Sequence, residues 1–291
     1  FGVQQRLYLA EKGINTNILL MSATPIPRTL ALAQYGEIEQ VILKEKPAFQ
    51  KPIITKVSSI DKIKDIEILL KKKISNVSQV YWICPLVEAS ETQKYKDVET
   101  RFKSLKNIFG SEVEMLHGKI KSDQKERIIQ NFQKGNIKIL VATTVVEVGI
   151  DNKNADYIVI ENAEKFGLSQ LHQLRGRVGR GNNQGYCFAL YGKDLPDNTI
   201  NRLKIFKENL DGFKLSEKDL EIRGTGDILG YRQSGDSLFK FVNVYHDQEL
   251  IIDALQYVKK LIEKKEYENE KFKKDIYKLL MFFKQQEAIK L

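Results

Sequence analysis

Cysteine, histidine and proline are scarce in this chain, with two, three and six residues respectively among 291. So few cysteines exclude a disulfide scaffold, and Cys84 and Cys187 each stand in an apolar run, where a thiol acts as a small buried hydrophobe. The histidines, at 117, 172 and 246, are scattered, so no metal site is expected. No apolar run reaches the roughly 20 residues that cross a bilayer. The amino end, FGVQQRLYLAEKG, has neither a basic leader before an apolar stretch nor a small-residue cleavage site, and a cytosolic location with no membrane partner is expected. A phosphate-binding GxxxxGK[ST] is missing as well. The only Gly-Lys pairs, Gly118-Lys119 and Gly192-Lys193, lack the upstream glycine and the following hydroxyl. The chain also begins at Phe1 and enters at once on what reads as the middle of a domain, so a piece of a longer protein is expected.

What is present describes an α/β protein. Short β-rich apolar runs recur at 17–21, 52–57, 79–84, 112–116, 138–143, 156–161 and 185–191. Helical patterns fill the intervals at about 60–73, 92–108, 122–134 and 168–178. Such alternation implies a parallel sheet with helices on both faces, right-handed crossovers, and function at the carboxyl ends of the strands. Ser122 is placed as the N-cap of the helix that buries Ile128, Ile129 and Phe132. The aperiodic stretch from Glu37 to Pro52 suits a linker between two α/β units. After Leu195-Pro196 the strands stop, and helices are expected at about 198–210 and 216–222. A structured loop with four glycines in thirteen residues follows at 223–235. Ile251, Leu255, Val258 and Ile262 then mark one amphipathic helix, and Phe272, Ile276, Leu279 and Phe283 another. The formal charge of +9 favours a polyanionic partner but also fits a lysine-heavy composition. The tail from Gln256 onward, with ten lysines against six acidic residues, suits a solvated helix face as well as a DNA contact.

Chemistry concentrates in a few segments. In QLRGRVGR, at 173–180, the two arginines Arg177 and Arg180 stand three apart and are expected on one helical face. A guanidinium stays charged and donates several hydrogen bonds, which suits the equatorial oxygens of a transferring phosphoryl group. A basic helix with a glycine-relaxed end is the plain alternative. MSATPIPRT at 21–29 places the hydroxyls of Ser22 and Thr24 at a strand end, where they can meet phosphate-bound water or an opposing domain. In LHGKIK, His117 and Gly118 end a strand, and a backbone without Cβ approaches a nucleic-acid phosphate closely. VATTVVEVGID leaves a strand with Thr143 and Thr144 and places Gly149 and Asp151 in the following loop. The glycine run GTGDILG does not suit a dinucleotide fold, because it follows the charged KDLEIR instead of an apolar strand and opens no helix.

In this order and at these separations, the segments resemble motifs III to VI of superfamily 2 helicases. ATPIPRTLAL, YWICPLVEASE, ATTVVEVGID, IENAEKFGLSQLHQLRGRVGRG and KDLEIRGTGDILGYRQSG are similar, more narrowly, to the bacterial branch-migrating RecG helicases. The likeness covers nearly the whole chain and is most specific from Leu140 to Gly235. The transcription-repair coupling factors share ATPIPRTL and the glycine-rich loop, but YWICPLVEASE and RQSG fit RecG better. A DNA-binding module without catalysis is the remaining alternative.

The resemblance implies the end of one RecA-like motor domain at 1–47 and a second at 48–196. It further implies a translocation hairpin with a hook loop at 197–235 and a helical tail at 236–291. It makes Arg177 and Arg180 arginine fingers beside Gln173, facing ATP and Mg²⁺ held mainly by an upstream domain. Gly149 and Asp151 match nucleotide-side positions, whereas His117, Gly118 and Thr143 match positions near DNA. Ser22, Thr24, Arg202, Arg223 and Gln233 match positions that couple hydrolysis to movement; Thr225 and Asp227 depart from the family's proline and glutamate. Implied partners are forked or branched DNA and single-strand DNA-binding protein, acting on a monomer. The phosphate loop and a fork-splitting wedge would lie upstream, so this chain alone is not expected to hydrolyse ATP.

Overall fold

A computed structural model describes residues 19, 21, 41–43, 51–74, 78–85, 96–143, 152–223, 247–265 and 269–282. The chain divides into two compact units, one of residues 1–25 and 44–219, the other of 26–43 and 220–291. The strand expected at 17–21 and the linker at 37–52 fall almost wholly outside the described residues, as does the glycine-rich loop beyond Arg223.

The first unit is built on six strands: β1 (Ile54–Ser59), β2 (Gln79–Ile83), β3 (Val113–Leu116), β4 (Ile139–Ala142), β5 (Ala155–Ile160) and β6 (Tyr186–Tyr191). Their order is β1-β6-β5-β2-β4-β3, and every pairing is parallel. Parallel strands need long crossovers, which here are helices. These are α1 (Ile63–Lys73), α2 (Lys96–Phe109), α3 (Ser122–Gln133), α4 (Leu168–Arg175), α5 (Asp197–Glu208) and α6 (Gly212–Arg223).

Because side chains alternate across a strand, each central strand feeds two cores. Tyr81, Ile83, Leu140, Ala142, Ile158, Ile160, Cys187 and Ala189 face Phe132 of α3, Leu168, Leu171 and Leu174 of α4, Leu203 and Phe206 of α5, and Leu215 of α6. Val80, Trp82, Ile139, Val141, Val159 and Leu190 face Ile66 and Leu70 of α1 and Val98 and Leu105 of α2. Each large apolar side chain so buried contributes about 1.5–3 kcal/mol. The expected α/β architecture, a RecA-like parallel sheet with helices on both faces followed by a helical extension, is the one observed.

Local details differ from the sequence reading: α6 begins at Gly212, about four residues before its expected start, and two further differences concern α3 and α4. The residue preceding the first turn of α3 is Lys121, and Ser122 is already helical, so Ser122 is not the N-cap. Helix α4 stops at Arg175 instead of continuing to 178. Gly176 forms its C-cap, and the turn that follows includes Gly179 at φ +68°. A left-handed residue cannot continue a right-handed helix, and glycine occupies it without a steric penalty.

Both cysteines are buried and free, as their apolar surroundings suggested. Burial pushes the Cys187 thiol up to about 12. In the second unit, α7 (Gln248–Glu263) and α8 (Glu270–Phe282) are the amphipathic helices expected from the periodicity, with Ile251 buried. No helix among the described residues is long and apolar enough to cross a membrane.

Candidate functional site

The candidate residues collect at opposite edges of the sheet. At the carboxyl edge, His117 directly follows β3 and Thr143 directly follows β4, and the Thr143 N–H donates to the Leu116 carbonyl across 3.4 Å. The turn after β3 is held by its own polar groups. The Lys119 N–H donates to His117 Nδ1 at 3.3 Å, and Lys125 Nζ donates to the Gly118 carbonyl at 3.0 Å from the first turn of α3. Burial lowers the His117 pKa; Lys119 and Lys125 add to the effect and Glu99 opposes it. A neutral imidazole is therefore favoured, leaving the lysines as the cations of this edge. Thr143 is fully buried, and its hydroxyl meets no hydrogen-bond partner among the described residues.

Arg177 and Arg180 lie at the other edge. The Gly179 N–H donates to the carbonyl of Ala155, the first residue of β5, at 3.1 Å. Asp156 accepts from Ser78 Oγ at 2.7 Å and from Asn183 Nδ2 at 3.0 Å, which ties the stretch after Arg180 to the same strand start. The arginine-bearing turn is thus anchored at the amino edge, whereas His117 and Thr143 stand at the carboxyl edge. The two arginines do not share a helical face, since α4 has ended before both. Arg177 instead follows a turn closed by its N–H on the Leu174 carbonyl at 3.0 Å, and Arg180 Nε donates to the Gly176 carbonyl at 2.9 Å. Both arginines and Gln173 are half-buried.

Helix α4 spans the distance between the two edges, about 12 Å for eight residues at 1.5 Å each. It follows β5 through a short turn at Ala163–Lys165, whose Glu164 carbonyl accepts from Arg202 Nη2 of α5. Arg202 is therefore placed against the entry to α4. Ser22, Thr24, Gly149, Asp151 and Gln233 lie outside the described residues, as does the side chain of Arg223.

Sequence reasoning missed Arg175, which is 2% exposed. Its Nη1 donates to the Phe206 carbonyl at 2.9 Å and its Nη2 to the Asn209 carbonyl at 2.8 Å, at the C-terminal end of α5. The guanidinium also lies 4.6 Å from the Phe206 ring. A cation fits there, because the last carbonyls of a helix are unsatisfied and carry its negative dipole end. The signal was present in the spacing: Leu168, Leu171 and Arg175 fall at i, i+3 and i+7, so Arg175 occupies the buried stripe.

Among the described residues no cluster of His, Cys, Asp or Glu is suited to hold a metal ion.

Residues 57–182 match the helicase conserved C-terminal domain family. The chain is 46% identical over 253 residues to the ATP-dependent DNA helicase RecG of Borreliella burgdorferi, covering 87% of this chain and 37% of that protein. It is 42% identical over 265 residues to RecG of Staphylococcus aureus, covering 90% of this chain and 38% of the relative. A solved structure of RecG bound to a three-way DNA junction is similar with a TM-score of 0.64 and 38% identity, over 79% of this chain and 30% of that one. The chain thus spans a little over a third of the curated relatives it matches.

Proposed function

Since this chain belongs to the RecG family of helicases, we propose that it forms the arginine-finger half of an ATP-driven motor that moves branched DNA in fork reversal, recombination and repair. The observation that carries this reading is the anchored turn holding Arg177 and Arg180 at the amino edge, opposite the His117 and Thr143 edge. One module thereby offers separate surfaces to a nucleotide and to a phosphate backbone.

In this reading Arg177 and Arg180, with Gln173 beside them, donate to the oxygens of ATP bound with Mg²⁺ on another domain. Bound there, the nucleotide supplies the phosphoryl transfer, and the guanidinium groups stabilise charge that grows on its equatorial oxygens. Gly149 and Asp151 complete the nucleotide side. Gly118 and His117 line the DNA side through backbone groups, with Thr143 buried at the same edge and Lys119 and Lys125 supplying charge. Residues 48–196 are the motor domain, 1–47 the end of its partner domain, 197–235 the hairpin and hook, and 236–291 the tail. Ser22, Thr24, Arg202, Arg223 and Gln233 couple the two sides. Action as a monomer, contact with single-strand DNA-binding protein and a place in the bacterial cytoplasm rest on the family resemblance alone.

The test is Arg177→Ala in the native gene product that contains this chain. DNA-stimulated ATP hydrolysis should fall by about 10³-fold or more, the scale of an arginine finger, while junction binding stays near the unsubstituted value. Equal loss of both would overturn the assignment. A coupling-factor motor is the second reading, since it shares ATPIPRTL and the glycine-rich loop; a polymerase-binding domain in the native product would decide for it.

A further inference from the structure

The helix pair α5 and α6 runs back and forth beside α4, and its turn, at 209–212, lies at the end of α4 that leads into the arginine-bearing turn. Arg175 holds the incoming side of that turn through the Phe206 and Asn209 carbonyls. His172, one turn earlier on α4, meets the outgoing side. A Cβ placed on Gly212, the first residue of α6, would sit 2.7 Å from His172 Nε2, so the imidazole lies directly against the Gly212 backbone. The two α4 side chains also hold each other. Arg175 Nη2 lies 3.1 Å from His172 Nδ1, and since a guanidinium only donates, Nδ1 accepts and the imidazole proton is on Nε2.

The other end of α6 returns to the start of α4. There Asp219, 5% exposed, accepts from the Leu168 N–H at 3.4 Å, a carboxylate at a helix N-terminus. The finger helix is therefore bonded to α6 at its start through Asp219, and at its end to the turn that leads into α6 through Arg175. Between the fastenings, Leu171, Leu174, Leu203, Phe206 and Leu215 share one core. Interiors packed in this way pass on a displacement instead of absorbing it.

We infer that Arg175 is a positioning residue of the motor, which seats the turn between α5 and α6 on the finger helix so that movement of the Arg177–Arg180 turn is delivered to α6. Arg175 itself touches no nucleotide. Its fork is committed to two main-chain carbonyls and an imidazole within its own domain, and burial lowers its pKa from the ordinary value without creating an anion site. The inference rests on the function proposed above but concerns a different step, transmission instead of hydrolysis.

The experiment compares Arg175→Met, which keeps the length of the side chain without its donors, with Arg175→Lys and Gly212→Ala in the native gene product. Three quantities are read: the KM for ATP, the DNA-stimulated ATPase rate, and branch points moved per ATP consumed. For Arg175→Met the KM should stay within about twofold and branch movement per ATP should fall at least tenfold. Arg175→Lys, which restores one charge but not the fork, should recover part of the loss. Gly212→Ala, which pushes on His172 from the opposite side, should lower the same ratio with Arg175 intact. That variant also decides the matter should Arg175→Met fail to fold.

A constant ratio of movement to hydrolysis in the folded variants would overturn the inference. So would a rise in KM like that of a nucleotide ligand. Arg177→Ala in parallel separates the two readings, because retained ATPase there removes the finger assignment and leaves the Arg175 comparison intact.

Discussion

Trp82 Nε1 donates to Glu161 Oε1 at 2.5 Å, joining the end of β2 to the residue just past β5. The same carboxylate pairs with Arg101 of α2, which also reaches Glu67 of α1 at 3.3 Å. Arg101 lies 5.5 Å from the Trp82 ring centre. One carboxylate thus fastens two helices to the sheet. Arg101→Ala would leave it buried without its cation, a loss of about 3–5 kcal/mol. Trp82 is the only tryptophan, so its fluorescence during urea unfolding reports the change directly. Adding Glu161→Gln should restore part of the loss, and a double variant no more stable than Arg101→Ala would show that the pair contributes little.

His117 gives the first unit a pH dependence of known sign. Burial holds its folded pKa below the ordinary histidine value, with Lys119 and Lys125 acting in the same direction and Glu99 against. Above the unfolded pKa neither state binds the proton and stability is at its full value. As the pH falls through that value the unfolded chain takes up a proton that the folded one resists, so stability declines toward the depressed folded pKa. Urea midpoints between pH 8 and pH 5 should fall more steeply for the native residue than for His117→Gln. Parallel curves would mean that His117 titrates normally.

Gly181 follows Arg180 directly, and a Cβ there would sit 2.5 Å from the Lys153 carbonyl oxygen. Main chain cannot yield as a flexible side chain does. Gly181→Ala should therefore cost about 1–3 kcal/mol, the range for overpacking. It should also displace the arginine-bearing turn and lower hydrolysis in the native gene product. An unchanged denaturation midpoint would show that the strand start at 153–155 adapts.

Much of the first unit was legible in the sequence because its information is local. Short apolar β-rich runs placed the strands from β1 to β6 within about two residues of their observed bounds. Helical spacing found α1 to α5, and the strand-helix alternation dictated a parallel sheet. Position 175 also carried a local signal, since it shares the buried stripe of α4 with Leu168 and Leu171. The end of α4 was harder, because the pattern of QLHQLRGRVGR continues past Arg175. Past that end the chain is held by a left-handed Gly179 hooked onto the carbonyl of Ala155, which comes earlier in the chain and belongs to another element.

The sequence by itself determined which residues carry charge and hydroxyls, and which faces of strands and helices are buried, since periodicity encodes a face. It did not determine the edge of the sheet at which a segment arrives. That depends on the direction of each crossover and on hydrogen bonds between distant residues. Only the tertiary structure separated His117 and Thr143 from Arg177 and Arg180. Only it turned Arg175 from one more cation in a basic run into a buried clamp, because the carbonyls it serves lie 31 and 34 residues away, beyond the reach of any local pattern.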